Sequence, residues 1–268
     1  MQVRTKAMAL LRGKSRQPGY LPIVGPADSD LSFISFGLLS LGDGETWQSS
    51  FPAQETLFVL LDGRCDFRAG DCDWRGIGER KHVFDGKPTA VYLPPGVAFD
   101  VTGRGEVEIA LCGAAADHGP AATLITPDQV GVRHVGHGSF AREIYDIATP
   151  ANLAARRLLV GETYNPPGLW SSYPPHKHDL HRPPQESKLE EVYHFRLDPP
   201  QGFGMQRVYG EGFDESYAVQ DRDTVAITKG YHPVVAAPGY RLYYLWMLAG
   251  EERVMLPWDD PAHAWTRD

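Results

Sequence analysis

Glu55-Thr-Leu-Phe-Val-Leu-Leu-Asp-Gly63, followed by Tyr92-Leu-Pro-Pro-Gly96, is the stretch from which the fold is read. An acidic residue enters an apolar run of strand length, the run stops at glycine, and a Pro-Pro-Gly turn follows a later run. A fainter copy stands in the second half as Glu191-Val-Tyr-His-Phe-Arg-Leu197 and Asp223-Thr-Val-Ala-Ile-Thr-Lys-Gly-Tyr-His232. The copies agree in pattern rather than identity, which predicts a duplicated β-barrel. Around them, 28 glycines and 22 prolines are scattered between short apolar runs, the punctuation of many short strands and tight turns. Strands are expected at 31–41, 55–61, 65–68, 89–93, 98–102 and 106–112, and again at 140–147, 156–164, 191–197, 204–208, 224–228 and 240–248. A link rich in alanine, glycine and aspartate near 114–123 separates the series, giving domains at 1–120 and 121–268. Residues 1–30 read as irregular chain draped over a sheet or a second subunit.

The halves differ in histidine. Ser171-Ser-Tyr-Pro-Pro-His-Lys-His178 places His176 and His178 at i and i+2, so on an extended strand both imidazoles face one point. Glu191 on a following strand can add a carboxylate, and His232 in Gly230-Tyr-His-Pro233 a third imidazole. Three histidines and one carboxylate suit a divalent Zn, Mn, Fe, Ni or Co ion. The rival reading is a pair of surface histidines in a proline-rich loop. Glu191, Tyr193 and Phe195 share one strand face, while Glu190, Val192 and His194 share the other. Aromatic side chains suit a barrel interior, which selects Glu191; a slip of one residue would bring Glu190 and His194 inward. The segment 179–189 between His178 and Glu191 reads as a loop at the barrel mouth. The first half has no histidine before Glu55, and Val97-Ala98-Phe99 follows Gly96. One metal site per chain is therefore expected, in the C-terminal half, with a metal-free first barrel.

The chain is 268 residues long with a formal charge of −8, which argues against a nucleic-acid surface. It has no apolar run long enough to cross a membrane, and residues 1–12 show no signal-peptide pattern. Cys65, Cys72 and Cys112 are odd in number and form no C-x-x-C pair, so reduced thiols and a cytoplasmic location are expected.

The string Trp170-Ser-Ser-Tyr-Pro-Pro-His-Lys-His-Asp179 is followed by Glu190-Glu-Val-Tyr193, Asp198-Pro-Pro-Gln-Gly-Phe203, Gln206-Arg-Val-Tyr209, Lys229-Gly-Tyr-His-Pro-Val234 and Gly239-Tyr-Arg-Leu-Tyr-Tyr244. Together with Ile77-Gly-Glu-Arg80, Val83-Phe-Asp-Gly-Lys-Pro88 and Val91-Tyr-Leu-Pro-Pro-Gly96 in the first half, it resembles the 5-deoxy-glucuronate isomerase family of myo-inositol catabolism. The resemblance runs from about residue 20 to 250. It implies an all-β bicupin, two tandem cupin barrels, that isomerises 5-deoxy-D-glucuronate to 2-deoxy-5-keto-D-gluconate with a divalent metal in the second barrel. Relatives acting on 5-keto-4-deoxyuronate share that fold and ligand set. Residues 129–147, with Arg133, His134 and His137, are less family-like, and no role is carried over to those histidines.

Moving hydrogen between C2 and C1 of a sugar needs an electrophile and, on the proton route, a base within hydrogen-bond reach. Tyr193, Tyr209, Tyr243 and His194 are the candidates, and Glu191 is another; the base stays unassigned. An anionic sugar acid calls for a cation. Arg207 leads over Lys177 and Lys229, because a guanidinium fork fits a carboxylate. Trp170, Phe203, Tyr231 and Trp246 read as core aromatics. A related uronate isomerase, an iron-dependent cupin dioxygenase and a non-catalytic sugar-binding cupin are the alternatives. Sheet edges and the long N-terminal segment make a homodimer plausible.

Overall fold

The strand Gln54–Asp62 shows how the layers arise. Leu57, Val59 and Leu61 enter one core while Phe58 and Leu60 enter another, so both faces are buried and the sequence reads as one apolar run. Glu190–Asp198 behaves alike, with Tyr193, Phe195 and Leu197 on one side and Val192 on the other. These strands lie within two large antiparallel sheets of the computed structural model, which describes residues 8–267.

The first sheet has six strands in the order Thr123–Ile125, Ala90–Leu93, Gln54–Asp62, Val107–Ala115, Ile34–Leu41 and Gly19–Val24. The second has seven, in the order Met8–Leu11, Thr224–Ile227, Glu190–Asp198, Arg241–Ala249, Leu159–Asn165, Arg142–Ala148 and Gly131–Val135. The two pack back to back through the largest core cluster. Each also faces a four-stranded sheet of its own: Thr46–Ser49, Phe99–Gly103, Cys65–Ala69 and Cys72–Ile77 in the first half, and Trp170–Ser171, Val234–Ala236, Phe203–Gly210 and Phe213–Gln220 in the second. The molecule is thus an all-β stack of four layers with the same strand plan used twice.

Residues 8–30 are only in part the irregular chain expected: 12–18 and 25–30 are loop and turn, but two strands lie among them. Met8–Leu11 pairs with Thr224–Ile227 in the second sheet, and Gly19–Val24 pairs with Ile34–Leu41 in the first. Residues 1–7 lie outside the described residues. Thr123–Ile125, beyond the link, turns back to pair with Ala90–Leu93. Each half therefore lends a strand to the other's sheet. Phe213–Gln220 escapes a reading by apolar runs, because Asp214, Glu215 and Ser216 face solvent.

Strand register also corrects the pattern match between the halves. Glu55, in phase with Leu57 and Val59, accepts the backbone N–H groups of Arg156, Arg157 and Leu158 at 2.6–2.9 Å. Its counterpart is Glu190, which accepts those of Ser32, Phe33 and Ile34 at 2.5–2.7 Å. Each acid ties its own strand to the opposite half. The position of Glu191 is filled by Thr56 in the first half, whose interior is closed by packed rings: Phe58 lies 5.0 Å from Phe67 and 4.9 Å from Phe99. Two buried ion clusters complete the junction. Arg80, from the Ile77–Arg80 motif, is bidentate to Glu162 at 2.6 and 3.0 Å, and Glu108 meets both Arg196 and Arg222.

Candidate metal centre

Two turns and one strand bring the ligands together. His176 opens a two-residue strand paired with Trp258–Asp259, and His178 follows directly. His232 comes after Gly230, whose φ of +92° and crowded surroundings (a Cβ would lie 2.8 Å from the Tyr209 carbonyl oxygen) require glycine. Glu191 points inward from the central strand Glu190–Asp198. One nitrogen from each of His176, His178 and His232 lies within 4.8 Å of the others, and Glu191 Oε2 sits 3.1 Å from His178 Nε2 and 3.2 Å from His232 Nε2.

Hydrogen bonding decides which way the rings are protonated. His178 Nδ1 donates to the Leu189 carbonyl and His232 Nδ1 to the Gly230 carbonyl, both at 2.8 Å. A carbonyl only accepts, so Nδ1 carries a proton in both rings, and a ring without a second proton turns an Nε2 lone pair toward the carboxylate. Acceptor would face acceptor unless a cation stands between them. His232 Nε2 is buried and makes no hydrogen bond, and burial, together with His232 and His178, holds His176 well below the ordinary imidazole range. Burial opposes ionisation of Glu191, but His178 and His232 outweigh it and hold the carboxyl at about 2. Burial likewise opposes charging His178, yet Glu191 prevails and raises it; a proton there stands in for the cation. The donor set, its orientation and its charge fit a divalent metal ion.

The ligands lie at one side of a cavity of about 510 Å³ whose wall includes His176, Glu191, Tyr193, Ser172, Tyr244 and Trp246. Of the tyrosine candidates only Tyr193 reaches it; its hydroxyl lies 3.0 Å from Ser172 Oγ. Tyr209 donates to Asp260 at 2.6 Å. Tyr243 donates to Glu162 at 2.8 Å in the junction between the halves. His194 points to the opposite sheet face, where Nδ1 meets Thr224 Oγ1 at 2.9 Å.

The expected cations are elsewhere as well. Arg207 is forked onto Asp214, both contacts at 2.8 Å, and stacks over Tyr209. Gln206 takes the inward position, and alternation turns its neighbour out. Lys177, between two inward histidines, points away for the same reason and pairs with Asp179 and Glu186. Lys229 lies over the Phe213 ring. The cavity's cations are instead Arg133, Arg142 and Arg267, two of them from the segment to which the sequence assigned no role. The loop 179–189 supplies none of the cavity wall. Among the expected core aromatics, Trp246 lines the cavity and Phe203 is 46% exposed.

Residues 10–266 match the family described as KduI/IolB. The chain belongs to that family. Within it, the 5-deoxy-glucuronate isomerase of Geobacillus thermodenitrificans is 38% identical over 255 residues, spanning 94% of this chain and 93% of the relative. The enzyme of the same name from Bacillus subtilis strain 168 is 38% identical over 245 residues, 90% of each chain. An IolB-like protein from Salmonella typhimurium LT2, whose crystal structure is solved, superposes with a TM-score of 0.93 at 36% identity, covering 97% of this chain and all of that one. Oxalate decarboxylase from Lactobacillus farciminis, at 10% identity and a TM-score of 0.65, shares the cupin-like fold alone.

Proposed function

We propose that this KduI/IolB-family protein is an aldose–ketose isomerase converting 5-deoxy-D-glucuronate to 2-deoxy-5-keto-D-gluconate in myo-inositol catabolism, with one divalent cation held by His176, His178, Glu191 and His232. The observation that carries this reading is the convergence of these four side chains beside an arginine-lined cavity, in a chain 38% identical to named isomerases along nearly its whole length. Three unpaired cysteines, two of them buried, suit the reducing cytoplasm. Among the described residues no helix is long and apolar enough to cross a membrane.

A bound divalent cation supplies Lewis acidity toward a carbonyl oxygen. The protein's own groups do the rest. The Leu189 and Gly230 carbonyls fix the His178 and His232 rings so that Nε2 faces inward. Burial first, then Glu191, raises the Tyr193 phenol well above its ordinary value. It therefore stays protonated at neutral pH and serves as a hydrogen-bond donor to a sugar oxygen, with Ser172 Oγ as its resting partner. Leu159, Ile144 and Trp246 keep the wall beside it apolar and limit water around the reacting carbons.

The test pairs elemental analysis with NMR in D2O on the wild type and His178→Ala. Metal near one per chain is expected in the wild type, lost in the variant together with isomerisation. Deuterium appearing at C1 would identify transfer by a base exchanging with solvent. Full isomerisation by metal-free wild type would overturn the proposal.

A further inference from the structure

We infer that Arg142 is the receptor for the substrate's carboxylate, holding the end of the sugar acid opposite to the reacting carbons. Arg142 begins the strand Arg142–Ala148 and lines the same cavity as His176, Glu191 and Tyr193. Three guanidinium groups border that cavity, and two are already paired. Arg133 is forked onto Asp146 at 2.6 and 2.9 Å, and Arg267 onto Asp259. Arg142 differs. Its Nη1 donates to the carbonyl oxygens of Phe140, at 3.0 Å, and Tyr173, at 3.3 Å. Among the described residues no carboxylate pairs with it. Those two carbonyls aim the group while leaving its charge without a counterion.

A partly buried guanidinium without an anion is an unfavourable arrangement, since desolvation is uncompensated and the charge cannot be shed. Burial lowers the Arg142 pKa; the Tyr244 and Tyr193 phenols oppose it in part, and the neighbouring Arg133 and Arg267 charges add to the lowering. A carboxylate arriving in the cavity relieves all three lowering effects and finds donors arranged for a fork. Arg133 and Arg267 already have their charges balanced by aspartates. A linear sugar acid, with its aldehyde at one end and its carboxylate at the other, can then span from the histidine cluster to Arg142. The selectivity that follows is for an acid over the corresponding neutral sugar.

This assignment rests on the isomerase reading only for the identity of the acid, so its test uses a ligand that cannot react. The probes are 5-deoxy-glucuronate reduced at C1 to the alcohol, which keeps the carboxylate, and the fully reduced hexitol, which lacks it. Calorimetric titration of the metal-loaded wild type should show the acid binding at least about tenfold more tightly, the scale of one charge-assisted hydrogen-bonded contact. Arg142→Gln removes the charge while keeping an amide donor on the side chain, and should bind both probes equally, with metal content unchanged. Arg142→Lys should regain part of the preference. A wild type that does not distinguish the probes, or an Arg142→Gln protein that keeps the preference, overturns the assignment. Loss of preference in the variant while the wild type fails to isomerise 5-deoxy-glucuronate would leave the receptor in place and remove the isomerase reading. Isomerisation with the preference intact in Arg142→Gln would do the reverse.

Discussion

Adjacent residues of one strand carry opposite duties at Glu190 and Glu191. Glu191 faces two imidazole Nε2 atoms, while Glu190 faces three backbone N–H groups of the other half. Their conservative variants should separate cleanly. Glu191→Gln removes the anionic ligand, and metal affinity should fall by more than the roughly 10–100-fold that follows loss of a residue merely steadying a ligand. Glu190→Gln should keep its metal but lose about 2 kcal/mol of stability, since charge-assisted bonds are weakened rather than erased. Competition with a chelator and urea unfolding, run on both proteins, distinguish the two; equal metal loss in both would contradict the facing assigned here. Much of this scale was legible in the sequence. The period of two put Glu191 with Tyr193 and Phe195, and the spacing of His176 and His178 put both rings on one side. The same rule, applied to Gln206-Arg207 and His176-Lys177, would have turned Arg207 and Lys177 outward.

At the scale of elements, the segment 179–189 acts as a clamp. Glu186 is fully buried and accepts the backbone N–H groups of Asp179 and Leu180 at 3.0 Å, with Lys177 and Arg182 completing its shell. Asp179 in turn accepts the Gly230 N–H at 2.8 Å. Two ligand-bearing turns, one with His176 and His178 and the other with His232, are thus fastened to each other through the loop. Glu186→Ala leaves Lys177 with Asp179 alone and frees both amides. We expect metal affinity to drop about tenfold and the loop to become sensitive to protease, read by a chelator titration and by the appearance of a cut between 179 and 189. Unchanged affinity in a protein that is cut would show the clamp to be irrelevant to the site. Sequence could not expose this clamp. A glutamate in a proline-rich insert looks like any solvated loop acid until its buried donors are known. The arginine lining stayed hidden for a related reason: Arg133 and Arg142 lie on an edge pair of strands and Arg267 near the C-terminus, and only the chain's three-dimensional path brings them to one cavity.

Across the whole molecule, stability should depend on acid through the junction between the halves. Burial disfavours the Glu108 carboxylate, but Arg196 and Arg222 outweigh burial and hold its pKa below the ordinary value. A carboxyl depressed in the folded state stabilises fully above its unfolded pKa, about 4.3 for glutamate, and loses that contribution as pH falls through the folded value. Urea midpoints should therefore decline below about pH 4.3 in the wild type. Glu108→Gln should be less stable by about 3 kcal/mol at pH 7, because two arginines lose their anion, and should show a shallower decline on acidification. Parallel acid profiles for the two proteins would assign the acid sensitivity to other groups. The duplicated all-β plan itself was readable from strand-length apolar runs. The exchange of strands between halves was not, since Met8–Leu11 and Thr123–Ile125 are short and their partners lie far along the chain.

That exchange has a consequence for how the protein is made. Met8 is registered against Ile227, so the first described strand waits for the chain through Ile227 to leave the ribosome before its partner exists. At the usual pace of synthesis, about 5–20 residues per second, that wait is on the order of 10–40 s. The six-stranded sheet can close earlier, from residues 19–125, leaving the N-terminal tail trailing beside a finished half. The first described strand is then among the last to dock, and the second half cannot complete its sheet without a piece of chain made long before the strand it pairs with.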